Sequence, residues 1–306
     1  MSIVVENLTK KYGVQKAVND ISFEVNTGEV VGFLGPNGAG KSTTMKMITC
    51  FMAPTDGNVT LEGASILNDP ETVKRKIGYL PEHNPLYLDM PIVEYLRFSA
   101  EVQGVSSKDI PSRIAEMIDV CGLDAEKHKN IGELSKGYRQ RVGIAQAMIH
   151  DPEVLILDEP TTGLDPNQIV EIRKLIKKLG KEKTVILSSH ILSEVEATCD
   201  RILIINNGRI VADGSSETLR QQASGQEVVT VQLEGKGDIK KKLLAISTVE
   251  KVNEVEGKPD FFQVQSKPET SSKKAIFDAC VANKWYLLEM TGTETRLEDV
   301  FRNLTN

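Results

Sequence analysis

Hydrophobic residues of this chain fall into short runs that alternate with stretches of helical periodicity. Residues 29–34 and 184–188 are largely apolar, and residues 154–159 form an apolar run that ends in two acids. Runs of this length are typical of strands buried on both faces of a parallel sheet. In residues 166–179 the apolar side chains recur on one face of a helix. The alternation predicts an α/β fold with a parallel sheet.

Other segments of the first 220 residues extend this pattern. Residues 83–150 differ in texture, because their apolar residues follow the helical period, and they predict a helical subdomain inserted into the α/β domain. Asn207-Gly208 lies between two short apolar runs and predicts a hairpin turn. The further predicted strands are 3–7, 21–25, 58–63, 76–82, 201–206 and 209–213, and the predicted helices of the insertion are 92–102, 108–121 and 136–149.

The character of the chain changes again after about Gly214. Ser224-Gly225 is predicted to be a linker, and a short helix is predicted at 296–303. Between them the order β-α-β-β-α-β predicts a small α+β, ferredoxin-like domain without a recognisable catalytic constellation. Its predicted elements are strand 227–233, helix 238–246, strands 249–255 and 260–265, helix 269–280 and strand 285–289. The predicted domains are therefore 1–220 and 221–306.

Composition narrows the class of protein. The 306 residues are 40% hydrophobic and carry a formal net charge of −6, which gives no electrostatic case for nucleic-acid binding. No apolar run approaches the roughly 20 residues of a membrane span, and the N-terminus lacks a signal-peptide pattern. The cysteines lie far apart without a C-x-x-C pair, so reduced thiols in a cytoplasmic protein are expected. They are Cys50, Cys121, Cys199 and Cys280.

The strongest local signal is the segment 35–42, which matches G-x-x-x-x-G-K-[ST] between a predicted strand and a predicted helix. Such a loop turns backbone N–H groups toward phosphate oxygens, and the helix N-terminus adds its positive dipole end. Lys41 would reach the β- and γ-phosphates, while the Ser42 hydroxyl would ligate Mg²⁺. The alternative is an ordinary glycine-rich turn with a surface lysine. The expected phosphate-binding residues are Gly35, Pro36, Asn37, Gly38, Ala39, Gly40, Lys41, Ser42 and Thr43.

Two adjacent acids follow the apolar run that begins at Val154. Carboxylates at the C-terminal edge of a parallel sheet lie where ligands bind in such folds. Asp158 would hold the Mg²⁺ shell and Glu159 would act as general base on the attacking water. The alternative is a solvated turn.

These motifs and five others occur in the order of a known family. The chain resembles the ATP-binding subunit of an ABC transporter over residues 1–219. The segments that carry the resemblance are Tyr12, 35–42, 79–82 at the glutamine loop, 134–138 at the signature, 154–159, 163–165 at the D-loop, and His190.

The resemblance implies an ATPase that works as a head-to-tail dimer, with each ATP between one phosphate loop and the signature of the second subunit. Ser135 and Gly137 would contact the γ-phosphate from the second subunit. Tyr12 would stack on adenine, and Asp165 would belong to the nucleotide site. His190 would contact the γ-phosphate and orient the water, the alternative being a histidine that caps the following helix.

Two departures from the family pattern stand out. Glu82 occupies the usual glutamine position, where it would join Ser42 and Asp158 as an oxygen ligand of Mg²⁺. Lys136 and Tyr138 replace the glycine and glutamine of the usual Leu-Ser-Gly-Gly-Gln signature. Ser135 and Gly137 remain, so the contact with phosphate from the second subunit is still expected.

Within the family, the chain is most similar to the drug-exporter branch and, in that branch, to gliding-motility-associated subunits. The resemblance implies a separate membrane permease, received by residues 83–98, and a place on the cytoplasmic face of the inner membrane. The partner across the dimer would be a second copy or a related subunit. Alternatives are a soluble ABC-type switch that regulates a non-transport complex and a P-loop small-molecule kinase.

Overall fold

A computed structural model describes residues 2–223, 227–255, 257–267, 270–293 and 297–305. These residues form two compact units. The first unit comprises Met1–Ser216 with Leu304–Asn306, and the second comprises Glu217–Asn303. The predicted linker Ser224-Gly225 lies outside the described residues.

Ten strands of the first unit form two sheets. The larger sheet has six strands in the order β10-β9-β3-β8-β7-β6, and all of its pairs are parallel except that of β10 with β9. The smaller sheet is antiparallel, with the order β2-β1-β4-β5. The strands are β1 (Ile3–Tyr12), β2 (Gln15–Val25), β3 (Val30–Leu34), β4 (Asp56–Leu61), β5 (Ala64–Ser65), β6 (Ile77–Leu80), β7 (Val154–Asp158), β8 (Thr184–Ser189), β9 (Arg201–Asn206) and β10 (Arg209–Gly214).

Helices follow most strands of the parallel sheet, and three of them form the predicted helical subdomain. The helices are α1 (Lys41–Ile48), α2 (Pro70–Lys76), α3 (Ile92–Val102), α4 (Ile110–Cys121), α5 (Lys136–Met148), α6 (Pro166–Leu179), α7 (Leu192–Thr198) and α8 (Ser216–Ala223). Helices α3, α4 and α5 all lie between β6 and β7, at the position of the predicted insertion. The predicted Asn207-Gly208 turn is confirmed, since both residues have the positive φ that a tight hairpin requires.

The two N-terminal strands are much longer than predicted. The prediction stopped at residues 3–7 and 21–25 because polar residues interrupt the apolar alternation there. In the structure, Asn7 and Asp20 both have positive φ and lie at irregularities of the β1–β2 ladder. The Asn7 amide donates to Asp20 Oδ1 at 3.0 Å, so these polar residues bridge the two strands where the alternation fails.

The core of the first unit aligns the ends of its parallel strands. Phe33, Ile156 and Ile186 are completely buried in adjacent strands. The register pairs Leu34 of β3 with Ser189 of β8, and Asp158 of β7 with Ser188 of β8. The loops that leave β3, β7 and β8 therefore begin at one edge of the sheet.

The second unit has the predicted β-α-β-β-α-β order. Its four strands form an antiparallel sheet in the order β12-β13-β11-β14, as in a ferredoxin-like arrangement. Val231, Val264 and Trp285 belong to a hydrophobic core of its own. Its elements are β11 (Val228–Glu234), α9 (Ile239–Leu244), β12 (Val249–Glu254), β13 (Phe261–Ser266), α10 (Lys273–Asn283) and β14 (Tyr286–Thr293), followed by α11 (Leu297–Thr305).

The second predicted helix of this unit begins later than expected. The prediction placed it at 269–280, whereas α10 starts at Lys273. Glu269 itself lies outside the described residues. Ser272 N–H donates to Glu227 Oε2 at 3.2 Å, and its hydroxyl bonds with Ser266 at 2.7 Å. These hydrogen bonds hold Ser272 at the residue directly before α10, and the helix begins after it.

All four cysteines are free thiols, as predicted. Burial raises the pKa of the Cys121 thiol to about 12, which keeps it protonated and unreactive near neutral pH. Among the described residues, no helix is both long enough and apolar enough to cross a membrane.

Replacing Ile156 by alanine tests the central position of β7. Because Ile156 is fully buried, Ile156→Ala is expected to lower the free energy of unfolding by about 2–5 kcal/mol. Urea unfolding followed by far-ultraviolet circular dichroism measures the change. Val14→Ala, at a fully exposed turn position, is the control and should unfold like the wild type. Wild-type stability of Ile156→Ala would contradict the assignment of β7 to the core.

Candidate active site

The loop between β3 and α1 borders a pocket of about 350 Å³. Gly40 has a φ of 112°, and a Cβ there would lie 2.6 Å from the Ala17 carbonyl oxygen, so only glycine fits. Helix α1 starts at Lys41 with no side-chain cap and no acid in its first turn. Its first backbone N–H groups therefore remain available to an anion in the pocket. The loop residues that line the pocket are Asn37, Gly38, Gly40, Lys41, Ser42 and Thr43.

Lys41 is buried at the base of this loop, with only 5% of its side chain exposed. Its ammonium group donates to the carbonyl oxygens of Gly35 at 2.8 Å and Pro36 at 3.3 Å. It also lies 3.4 Å from Glu159 Oε1. A surface lysine on an ordinary turn is therefore excluded, because a buried ammonium needs this set of acceptors.

Asp158 ends β7 and is 1% exposed. Its Oδ1 accepts hydrogen bonds from Ser42 Oγ at 3.1 Å and Ser188 Oγ at 2.5 Å. Its Oδ2 is buried without a hydrogen-bond partner among the described residues. Burial raises the pKa of Asp158, and the charges of Glu82 and Glu159 raise it further, against the two serine hydrogen bonds.

The residues around Asp158 fit a magnesium ion. The unpaired Oδ2 is a hard oxygen donor, and Ser42 Oγ is hydrogen-bonded to the other oxygen of the same carboxylate. Glu82 lines the same pocket. In the described part of the chain, no group of three or more His, Cys, Asp or Glu side chains is placed to hold a metal ion by itself. Such a sparse donor set is what Mg²⁺ uses, since it takes one or two carboxylates together with phosphate oxygens and water.

Glu159 follows Asp158 in a conformation that is unusual for a glutamate. Its φ is +50°, and the residue is only 7% exposed, which excludes the solvated turn. Its N–H donates to Ser188 Oγ at 2.9 Å. Its Oε2 accepts from Thr162 Oγ1 at 3.1 Å and lies 2.9 Å from His190 Nδ1. With Lys41 on the other oxygen, the carboxylate is held on both sides.

His190 follows β8 and faces Glu159 rather than the next helix. The N-cap of α7 is Ile191, and no side chain caps this helix. The capping alternative is therefore wrong for His190. Its ring lines the pocket together with the phosphate loop.

Sequence patterns did not identify several side chains that organise the site. Ser188 bridges Asp158 and the Glu159 backbone, and Thr162 bonds the Glu159 carboxylate. Glu194 of α7 is 6% exposed and accepts hydrogen bonds from Thr161 Oγ1 and from Ser189 Oγ at 3.3 Å. The one available signal was that Ser188 and Ser189 end a buried strand at the edge where ligands bind.

Eight predicted site residues do not line this pocket. Gly35, Pro36 and Ala39 belong to the loop that borders it, Asp158 is buried behind Ser42, and the other four lie in other segments. Tyr12 ends β1, is 49% exposed and donates to Met52 Sδ at 3.0 Å. Ser135 caps α5 by accepting from Tyr138 N–H at 3.3 Å, and Asp165 caps α6 by accepting from Gln168 N–H at 2.9 Å. Gly137 is buried in the first turn of α5. Their roles at the nucleotide remain predictions.

Comparisons with known proteins identify the family of this chain. A family model described as ABC transporter matches residues 18–162. The linearmycin resistance ATP-binding protein LnrL of Bacillus subtilis is 36% identical over 306 residues, which cover 98% of this chain and 97% of that protein. The bacitracin transport ATP-binding protein BcrA of Bacillus licheniformis is 39% identical over 226 residues, covering 72% of this chain and 73% of that protein.

Among solved structures, the chain is similar to a dimeric ATP-binding cassette in a post-hydrolysis state, bound to ADP and Pi. The TM-score is 0.63 at 26% identity, with 70% of this chain and 98% of that chain covered. The fold, the phosphate loop and the relatives lead to one conclusion. The chain belongs to the ABC transporter family, as one of its ATP-binding, ATP-hydrolysing subunits.

Proposed function

We propose that this subunit is the motor of an exporter and works as a head-to-tail dimer beneath a separate membrane permease. The observation that carries the proposal is the arrangement around Glu159. A buried carboxylate lies between Lys41 and His190, at the wall of a pocket that the phosphate loop borders. This arrangement suits transfer of a phosphoryl group to water, which is the reaction that drives such a motor.

The phosphate loop binds the nucleotide. Free N–H groups at the start of α1 and the Lys41 ammonium receive the phosphate oxygens. Asp158 and Ser42, with Glu82, would hold Mg²⁺, which would offset phosphate charge. Because Lys41 contacts Glu159 and two carbonyl oxygens, it has acceptors to exchange for phosphate oxygens when nucleotide enters.

Glu159 acts as the general base. Its carboxylate takes a proton from the attacking water, and His190 orients that water and contacts the γ-phosphate. Thr162 and the Ser188 hydroxyl, which accepts from the Glu159 N–H, fix the position of this residue. The positive φ at Glu159 supports the assignment, because backbone strain of this kind is concentrated at functional sites.

The second subunit completes the site. Ser135 is exposed at the N-terminus of α5 and does not line the pocket of its own chain. A helix N-terminus presented outward suits contact with the γ-phosphate held by a partner. Tyr12, also exposed, stacks on the adenine. The partner is a second copy or a related subunit.

The seat of the permease is predicted at residues 83–98, none of which lines the groove of about 860 Å³ in the first unit. We extend the proposed seat to this groove, because α3 runs from one to the other. Phe51 and Val102 line it and are 72% and 69% exposed. Phe98, one turn before Val102 on α3, lies 5.6 Å from the exposed ring of Tyr87. Exposed apolar side chains of this kind mark interaction surfaces. Docking here places the subunit on the cytoplasmic face of the membrane.

The class of exported cargo is inferred from the names of the relatives. Both relatives described above carry names that refer to antibiotics, bacitracin and linearmycin. We infer an antibiotic as the exported class. The relatives' names do not refer to gliding motility, so that finer resemblance stays a prediction.

Residues 221–306 are proposed to be an accessory domain, since no catalytic side chain has been assigned to them.

Glu159→Gln tests the base. The amide cannot take the proton, so ATP turnover is expected to fall at least about 100-fold, within the range for loss of a general base, while ATP binding persists. Phosphate release and equilibrium nucleotide binding are the two measurements. Glu101→Gln, at an exposed position of α3, is the matched control and should hydrolyse ATP normally. Retained hydrolysis in Glu159→Gln would remove this residue from the base role.

Ser135→Asp tests the contact with the second subunit. Aspartate is as good an N-cap as serine, so α5 should be preserved, but the new negative charge would face the partner's γ-phosphate. In a Glu159→Gln background, Mg²⁺-ATP is expected to convert monomer to dimer, and Ser135→Asp should leave it monomeric with ATP bound. Light-scattering mass measures both. Equal dimer formation with Ser135→Asp would count against the head-to-tail arrangement.

Phe51→Glu combined with Val102→Glu tests the permease groove. The wild type is expected to sediment with membranes and to co-purify with a multi-span membrane protein, whereas the double variant should remain in the supernatant with normal ATP binding. Val170→Glu, an exposed apolar position on α6, is the control. Full membrane association of the double variant would exclude the groove. If the wild type does not co-purify with any membrane protein, the soluble ABC-type switch would be favoured.

A further inference from the structure

Two of the residues that depart from the family pattern, Glu82 and Lys136, line one cavity. A second pocket of about 380 Å³ adjoins the active site and shares Glu82 and Thr162 with it. Lys136 and Arg139, from the first turns of α5, line the same pocket. The acid at the glutamine-loop position and the lysine in the signature therefore face a common space within one subunit.

Lys136 is also close to the loop that follows Glu159. Gly163 has a φ of +72°, and a Cβ there would lie 2.2 Å from Lys136 Nζ and 3.4 Å from Lys136 Cε. The lysine side chain thus occupies the space above this glycine. Its charge lies against the same loop that carries Thr162, which bonds the Glu159 carboxylate.

The charge at this end of α5 is unbalanced. The N-terminus of a helix carries a partial positive charge, and cations there are unfavourable. Helix α5 nevertheless begins with Lys136, has Arg139 one turn later, and has no acid in its first turn. Among the described residues that line the second pocket, Glu82 is the only acid. Glu82 is therefore the acid that shares this cavity with Lys136 and Arg139, without an ion pair within 4 Å to either of them.

On its other side Glu82 faces negative charge. It lines the active-site pocket with Glu159, and its charge acts on the buried Asp158. Without a cation these carboxylates repel each other, so Glu82 is more stable toward Lys136 and Arg139. When a divalent cation is present, the Glu82 carboxylate is instead more stable toward that cation. Both Glu82 and Lys136 are exposed, so the difference is modest.

We propose that Lys136 is a positioning residue for Glu82, which it attracts away from the metal position until Mg²⁺-nucleotide competes successfully for the carboxylate. The charge of Lys136 then sets how strongly Mg²⁺ promotes nucleotide binding. It also couples metal occupancy to the signature helix within one subunit. This inference rests on the proposed nucleotide and Mg²⁺ site.

A double-mutant cycle tests the pair through binding rather than turnover. A fluorescent, non-hydrolysable ATP analogue is titrated in Mg²⁺ and in EDTA. The ratio of the dissociation constant in EDTA to that in Mg²⁺ is then compared between the variants. Lys136→Ala is expected to raise this ratio about two- to five-fold, the scale of an exposed charge pair, because Glu82 is released for the metal. In a Glu82→Gln background, Lys136→Ala should leave the ratio unchanged.

Two further variants sharpen the result. Lys136→Arg keeps the charge and should reproduce the wild-type ratio. Lys174→Ala, at an exposed lysine of α6, should also leave it unchanged. If Lys136→Ala had the same effect with and without Glu82, or no effect at all, the proposed action of Lys136 on Glu82 would be wrong. The proposed function of the subunit would not be affected. A wild type that does not bind the analogue in either condition would instead overturn the proposed function and this inference with it.

Discussion

The alignment of parallel strand ends is the constraint on which the site depends. Asp158 pairs in register with Ser188, and the Ser188 hydroxyl bonds both the Asp158 carboxylate and the Glu159 N–H. One hydroxyl therefore fixes the proposed magnesium ligand and the proposed base relative to each other. The strands are held by a hydrophobic core that includes Phe33, Ile156 and Ile186, and side chains placed on packed strands suit pre-organised chemistry.

The three acids of the site differ in their electrostatic environments. Asp158 is the most buried and keeps one oxygen unpaired, whereas Glu159 is held by a cation, a hydroxyl and an imidazole. Glu82 is exposed and lies between two pockets. Three carboxylates within one site thus differ in burial and in partners, and these differences let each respond differently to the same incoming cation.

The local motifs were predictable because each carries its function in contiguous residues. The phosphate loop, the Asp158-Glu159 pair and the hairpin at Asn207-Gly208 are examples. Contacts between distant segments were not predictable. Ser188 matters because of sheet register, Glu194 because α7 packs behind the strand ends, and Lys136 because Gly163 leaves space for it. The lengths of β1 and β2 were missed because irregular pairing at Asn7 hides the alternation.

The backbone at Glu159 has a consequence for how this site can change over evolutionary time. A left-handed φ is costly for β-branched side chains and tolerable for glycine, asparagine and aspartate. Mutations to valine, isoleucine or threonine would therefore remove the carboxylate and strain the fold together. A copy of this gene that loses catalysis but is retained for its structure would be expected to drift toward aspartate, asparagine, glutamine or glycine. The loss of activity would then leave a recognisable trace at one codon.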